Sequence, residues 1–174
     1  VPTNGERLVH TGGHGDTLRA VQTDFGTVSG LICGENSNPL AIFALATEYP
    51  VIHVAAWPAH FSPASDMQDS SILAARSLAY QLKAFVISSC AIVTDELIEA
   101  YGPSQDDREQ LERLKGLGGT CIVGPRGKVI AGPMEAGEGI LYCDIDTADV
   151  IIPKMIHDFA GHYNRPDVFS VTIK

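Results

Sequence analysis

Hydrophobic and polar positions divide this chain into short blocks. Residues 28–32, 51–56 and 85–89 are nearly continuous apolar runs, the pattern of strands covered on both faces. Leu40, Phe43 and Ala44 recur at spacings of three and four. They predict a helix over 37–48 that starts at Pro39 and stops at Tyr49-Pro50. Over 64–83, Ile72, Ala75, Leu78, Ala79 and Leu82 form one helical stripe, with Ser65 or Asp66 as cap and Arg76 and Lys83 on the polar side. Two short strands flank a turn at Asp24-Phe25-Gly26. A hairpin is expected over 118–131 around Gly124-Pro125-Arg126-Gly127. Residues 139–144 read as a further strand, and residues 147–156 as a short helix. The glycine-rich start, 1–18, reads as loop. The highly charged stretch 94–117 reads as a solvated insertion. The order of elements is that of an α/β fold.

One junction stands out. The apolar run 28–32 ends abruptly at Cys33-Gly34, and helical spacing begins after Pro39. A thiol is thus expected at a strand end, beside a flexible backbone and the Glu35 carboxylate, where an α/β fold presents a nucleophile. A lone cysteine there also fits a small buried hydrophobe, which is the commoner use of the residue.

The words around Cys33 sharpen the choice. Cys33-Gly34-Glu35-Asn36-x-x-Pro39-Leu40 resembles the nucleophile motif of the nitrilase family, whose usual form is Cys-Trp-Glu-Asn-x-x-Pro-Leu. In the same order, Val1-Pro2-Thr3-x-x-Glu6-Arg7 is similar to the segment after the family's catalytic lysine. Ile52-His53-Val54-Ala55-Ala56-Trp57-Pro58 is similar to the strand and loop after the nucleophile helix, and Gly161-His162-Tyr163-Asn164-Arg165-Pro166 to the C-terminal signature. The resemblance spans essentially the whole chain.

It implies a four-layer αββα sandwich, of which residues 1–174 would be a single partial domain, the C-terminal part of a subunit. It implies a thiol-dependent hydrolase that converts a nitrile to the acid and ammonia. In that chemistry the thiolate attacks the nitrile carbon to give a thioimidate. Water then releases ammonia, and a second water frees the acid from the thioester. By the resemblance Cys33 is the nucleophile and Glu6 a second carboxylate. The Gly34 N–H helps the developing anion, and Glu35 and Asn36 support the motif. Trp57 and Pro58 border the substrate. The family's principal base and lysine have no counterpart: Lys83, Lys115, Lys128 and Lys154 all fall outside the motif position. A companion N-terminal chain and a homo-oligomer are therefore expected. Gly34 in place of tryptophan suggests an altered substrate range. A related amidase, a cyanide-converting hydrolase or a catalytically inactive assembly module remain alternatives.

Composition adds boundaries. The chain has 174 residues, 45% hydrophobic and 19% charged, enough for one domain with a sizeable core. A net charge of −9 argues against nucleic acid or an anionic membrane as partner. The four cysteines include no Cys-x-x-Cys pair, which favours a reducing, cytoplasmic setting over disulfides or a zinc ribbon. No apolar run approaches the roughly 18 residues of a membrane helix. No cofactor is expected. His10 and His14, four apart, lie among glycines that disfavour the helix a metal pair needs, so no metal is expected either. Asp144-x-Asp146 reads as structural, Cys90 as structural, and His60 as an exposed loop residue.

Overall fold

A computed structural model describes residues 1–2, 4–61 and 67–173. Its centre is one mixed six-stranded sheet in the order β1 to β6: Val21–Thr23, Gly26–Ile32, Ile52–Trp57, Phe85–Cys90, Cys121–Val123 and Val129–Ala131. β2, β3 and β4 are parallel, and the outer pairings are antiparallel. The parallel pairs need crossovers, which two helices provide. α1, Pro39–Ala46, joins β2 to β3, and α2, Met67–Leu82, joins β3 to β4.

Local chemistry sets the starts and ends. The β1–β2 turn closes through Gly26 at φ +120°, where a Cβ would lie 2.6 Å from a Val51 methyl. Asn38 caps α1, its Oδ1 accepting from the N–H groups of Leu40 and Ala41, and Pro39 occupies the first turn. Tyr49 ends that region in a left-handed conformation, φ +53°. The cap expected for α2 at Ser65 or Asp66 lies outside the described residues.

Both helices lie on one face of the sheet. Ala75, Leu78, Ala79 and Leu82 of α2 and Ile42 and Ala46 of α1 pack on Ala55, Trp57, Val86, Cys121 and Val123. The expected burial of whole strands is therefore corrected. Alternate residues of the same strands, Ile32, Val54 and Ile87, are exposed on the opposite face. There, among the described residues, Val150 packs on Ile52 and Phe85 at one end.

Two side-chain expectations change. Leu40 is exposed, because the first turn of α1 projects past the core; Ile42, Ala44, Leu45 and Ala46 are the buried residues. Lys83 is buried at φ +51°. Its ammonium donates to the Tyr80 carbonyl, and Lys154 Nζ donates to the Leu82 carbonyl at 2.7 Å. The two cations thus satisfy carbonyls left open by the last turn of α2. Burial pushes Lys154 down to about 8.

The charged stretch is not a featureless insertion. It forms α3, Asp95–Tyr101, and α4, Gln105–Leu114, capped by Thr94 and Ser104 and closed on a small core of Val93, Ile98 and Leu111. Residues 139–144 alternate as a strand would but pair with no strand among the described residues. A 3-10 turn, Thr147–Val150, leads into α5, Ile151–Ile156. No helix among the described residues is long and apolar enough to cross a membrane.

Candidate active site

The carboxyl ends of the three parallel strands form one edge. Ile32 pairs with Ala56, and Trp57 with Cys90, so Cys33, Trp57 and Cys90 stand at nearly the same level. This is the edge at which open α/β sheets bind ligands.

Cys33 opens a 3-10 turn, Cys33–Ser37. Its backbone is left-handed, φ +49°. A side chain rarely adopts that conformation, and the surrounding structure must hold it there. Cys33 is partly exposed. Two side chains of the same turn do the holding. Asn36 is buried, and its Nδ2 donates to the carbonyls of Leu31 and Cys33, both at 3.1 Å. Glu35 Oε2 accepts from the Ile32 N–H at 3.1 Å, while Oε1 pairs with the Val1 ammonium. Burial raises the Glu35 carboxyl, and the Ile32 N–H lowers it.

Behind this turn lies a polar chain within the apolar layer. His53 of β3 is fully buried, with Nε2 3.0 Å from Asn36 Oδ1 and Nδ1 2.8 Å from Ser29 Oγ. The two carbonyls fix the Asn36 amide, so its oxygen faces His53. Nε2 therefore carries the proton, and Nδ1 accepts from the Ser29 hydroxyl. Burial pushes the imidazole down to about 4, which keeps it neutral.

Cys33, Gly34, Glu35 and Asn36 are thus brought together in one turn, and Trp57 and Pro58 close the adjacent strand. Trp57 turns inward: its indole is in the main core and donates to Ser88 Oγ at 3.1 Å. Pro58 lines a narrow cleft with Ala59, Met67 and Cys90. Glu6 is on a separate, exposed 3-10 turn, Asn4–Leu8. A cavity of about 330 Å³ opens beyond β4, with Cys90, Thr94, Thr120, Met134 and Glu138 among its walls. Cys33 is not one of them. Gly34 has open space around it: a Cβ there would meet no atom within 4 Å. His60, expected to be exposed, is half-buried.

Sequence reasoning missed Ser29 and His53. The signal was present as two polar residues inside apolar runs. Their pairing depends on the β2–β3 register, which puts Ser29 directly beside His53.

The model of the carbon-nitrogen hydrolase family matches residues 2–151. The chain belongs to that family. An aliphatic nitrilase of Rhodococcus rhodochrous is 36% identical over 177 residues, spanning 99% of this chain and 46% of the relative. A nitrilase of Pseudomonas syringae is 37% identical over 171 residues, spanning 95% and 50% respectively. The chain thus spans about half the length of the curated relatives it matches. A carbon-nitrogen hydrolase from Helicobacter pylori G27 superposes with a TM-score of 0.72 at 17% identity, over 94% of this chain and 54% of that one. That likeness carries the fold.

Proposed function

We propose that the protein carrying this chain is a nitrilase, with Cys33 as its nucleophile. The observation that carries the reading is the Cys33 turn: a partly exposed thiol, at the carboxyl end of a parallel strand, on a left-handed backbone clamped by Asn36. The thiolate adds to the nitrile carbon, and the nitrogen takes up a proton as the thioimidate forms. Water addition expels ammonia to leave a thioester, and a second water releases the carboxylic acid. The Gly34 N–H, next in the turn, is the donor assigned to the developing negative charge. Glu6 is assigned the second carboxylate. Glu35 and Asn36 shape the turn, and Pro58, with Trp57 as its anchor, borders the substrate.

The reading extends to how the site is completed. Residues 1–174 act as a single partial domain, the C-terminal part of a subunit whose N-terminal part supplies the base, the lysine and the second sheet of the sandwich. The exposed sheet face at Ile32, Val54 and Ile87 and the stretch 139–144, which pairs with no strand among the described residues, both support this. Homo-oligomerisation and a cytoplasmic setting belong to the same reading.

The test is ammonia release from aliphatic nitriles by the complete protein, with Cys33→Ala beside it. Turnover that disappears in Cys33→Ala is expected. Turnover of amides with nitriles untouched would make the protein an amidase, and a parental rate in Cys33→Ala would remove the nucleophile.

A further inference from the structure

Nothing in the chemistry above uses His53, although it is the one imidazole buried in the sheet's packed layer among the described residues. Its neighbours are neutral: Ser29 Oγ on one nitrogen and Asn36 Oδ1 on the other. Asn36 has its two amide hydrogens on the carbonyls of Leu31 and Cys33. Ser29, His53, Asn36 and Cys33 form a single hydrogen-bonded line from the middle of β2, across β3, to the backbone of the turn.

The line has a direction. An Asn amide can rotate by half a turn and exchange its oxygen and nitrogen. Rotated, Asn36 would aim its oxygen at the carbonyls of Leu31 and Cys33 and its NH₂ at the Nε2–H of His53. Both contacts would be repulsive. The Nε2–H bond therefore reinforces the orientation that the two carbonyls favour, and with it the clamp on the turn. The Ser29 hydroxyl, which can donate or accept, then meets Nδ1 as a donor and completes the line. Without the clamp, Cys33 has little reason to stay at φ +49°, because that region is disfavoured for any side chain.

We propose that His53 is a positioning residue for Cys33, acting through Asn36 to fix the backbone that presents the thiol. The proposal rests on the nucleophile reading above and predicts a loss in kcat rather than in substrate binding. Side chains that orient a reacting group from behind act this way. A displacement of about 1 Å at the reacting atom costs on the order of a hundredfold in rate.

The experiment uses the full protein with His53→Phe, His53→Gln and His53→Leu. Two quantities are read: kcat and KM for ammonia release, and the rate at which iodoacetamide alkylates Cys33, located by peptide mass spectrometry. Phenylalanine fills the space without polar atoms. Glutamine can donate to Asn36 and accept from Ser29. The expected result for His53→Phe is a fall of about a hundredfold in kcat with KM within about threefold, and an alkylation rate shifted by about tenfold. His53→Gln should regain most of both. A folded His53→Phe with parental kcat and parental alkylation overturns the proposal, as does a His53→Gln no better than His53→Phe. Should His53→Phe fail to fold, His53→Leu, which also removes both ring nitrogens, takes its place: a shifted Cys33 alkylation rate supports the proposal, and a parental one overturns it. Cys33→Ala separates the two readings. If it still turns over nitrile, the nucleophile assignment fails, and the alkylation series still decides whether His53 governs the thiol.

Discussion

At Cys33 conformation and chemistry oppose each other. A left-handed backbone costs a side-chain-bearing residue roughly 1–2 kcal/mol, and glycine pays almost none of it. Cys33→Gly is therefore expected to be more stable than Cys33→Ala by about 1 kcal/mol, read from denaturant midpoints, although both lack the thiol. Equal midpoints would mean that the turn carries no strain. The neighbouring Gly34 makes the opposite case. No atom lies within 4 Å of a Cβ built there, and its φ is not among the positive values. Gly34→Trp should fold with an unchanged melting temperature and alter the relative rates on aliphatic and aromatic nitriles. A loss of stability would show that the turn needs glycine, and unchanged relative rates would show that the position does not shape the pocket. The motif around Cys33 was legible because it is contiguous. The strain at Cys33 was not, since a positive φ at a non-glycine residue leaves no mark in the residue order. The support behind the Asn36 clamp was hidden too, because His53 sits on a separate strand.

Strands and helices with a contiguous apolar pattern were legible: β2, β3, β4, α1, α2 and the β5–β6 hairpin all lie where the spacing predicts. Which face of each is buried depends on what packs there, so Leu40 and Ile32 were misjudged. Lys83 was misjudged for a related reason. Helical spacing extends the polar face to it, but it belongs to the turn that closes α2, where the helix's open carbonyls attract it. The stretch 139–144 has a strand's alternation and no strand's ladder, since a ladder needs a second chain segment. His53 gives β3 a measurable property. Its folded-state value of about 4 lies below the ordinary 6.5. Between those values the unfolded chain holds a proton that the folded chain lacks, so stability rises with pH across this window and is flat above it. At ~1.4 kcal/mol per unit, lowering the pH from 7 toward 4 should cost about 3 kcal/mol. Urea titrations between pH 7 and 4.5 should therefore show a slope in the parent that His53→Gln largely removes. An equal slope in the variant would assign the loss to other groups.

At the scale of the molecule, the sheet has one finished face and one unfinished face. Helices cover Ala55, Trp57 and Val86, while Val54 and Ile87, alternate residues of the same strands, stay open to solvent. An apolar sheet face left open in water favours association, and burying a valine or isoleucine side chain contributes roughly 1.5–3 kcal/mol. In the proposed sandwich these two residues lie against the second sheet. The double substitution Val54→Ser with Ile87→Ser then has opposite effects in two settings. In the isolated 174-residue chain it should lower dye binding to apolar surface and reduce self-association, read by light scattering, because neither side chain is needed by the helix-covered core. In the complete protein the same pair should lower the melting temperature by several degrees, since about 3 kcal/mol or more of burial is lost between the layers. A complete protein with an unchanged melting temperature would mean that nothing packs on this face. The second layer would then have to be sought elsewhere, with the unpaired stretch 139–144 the next place to look for its attachment.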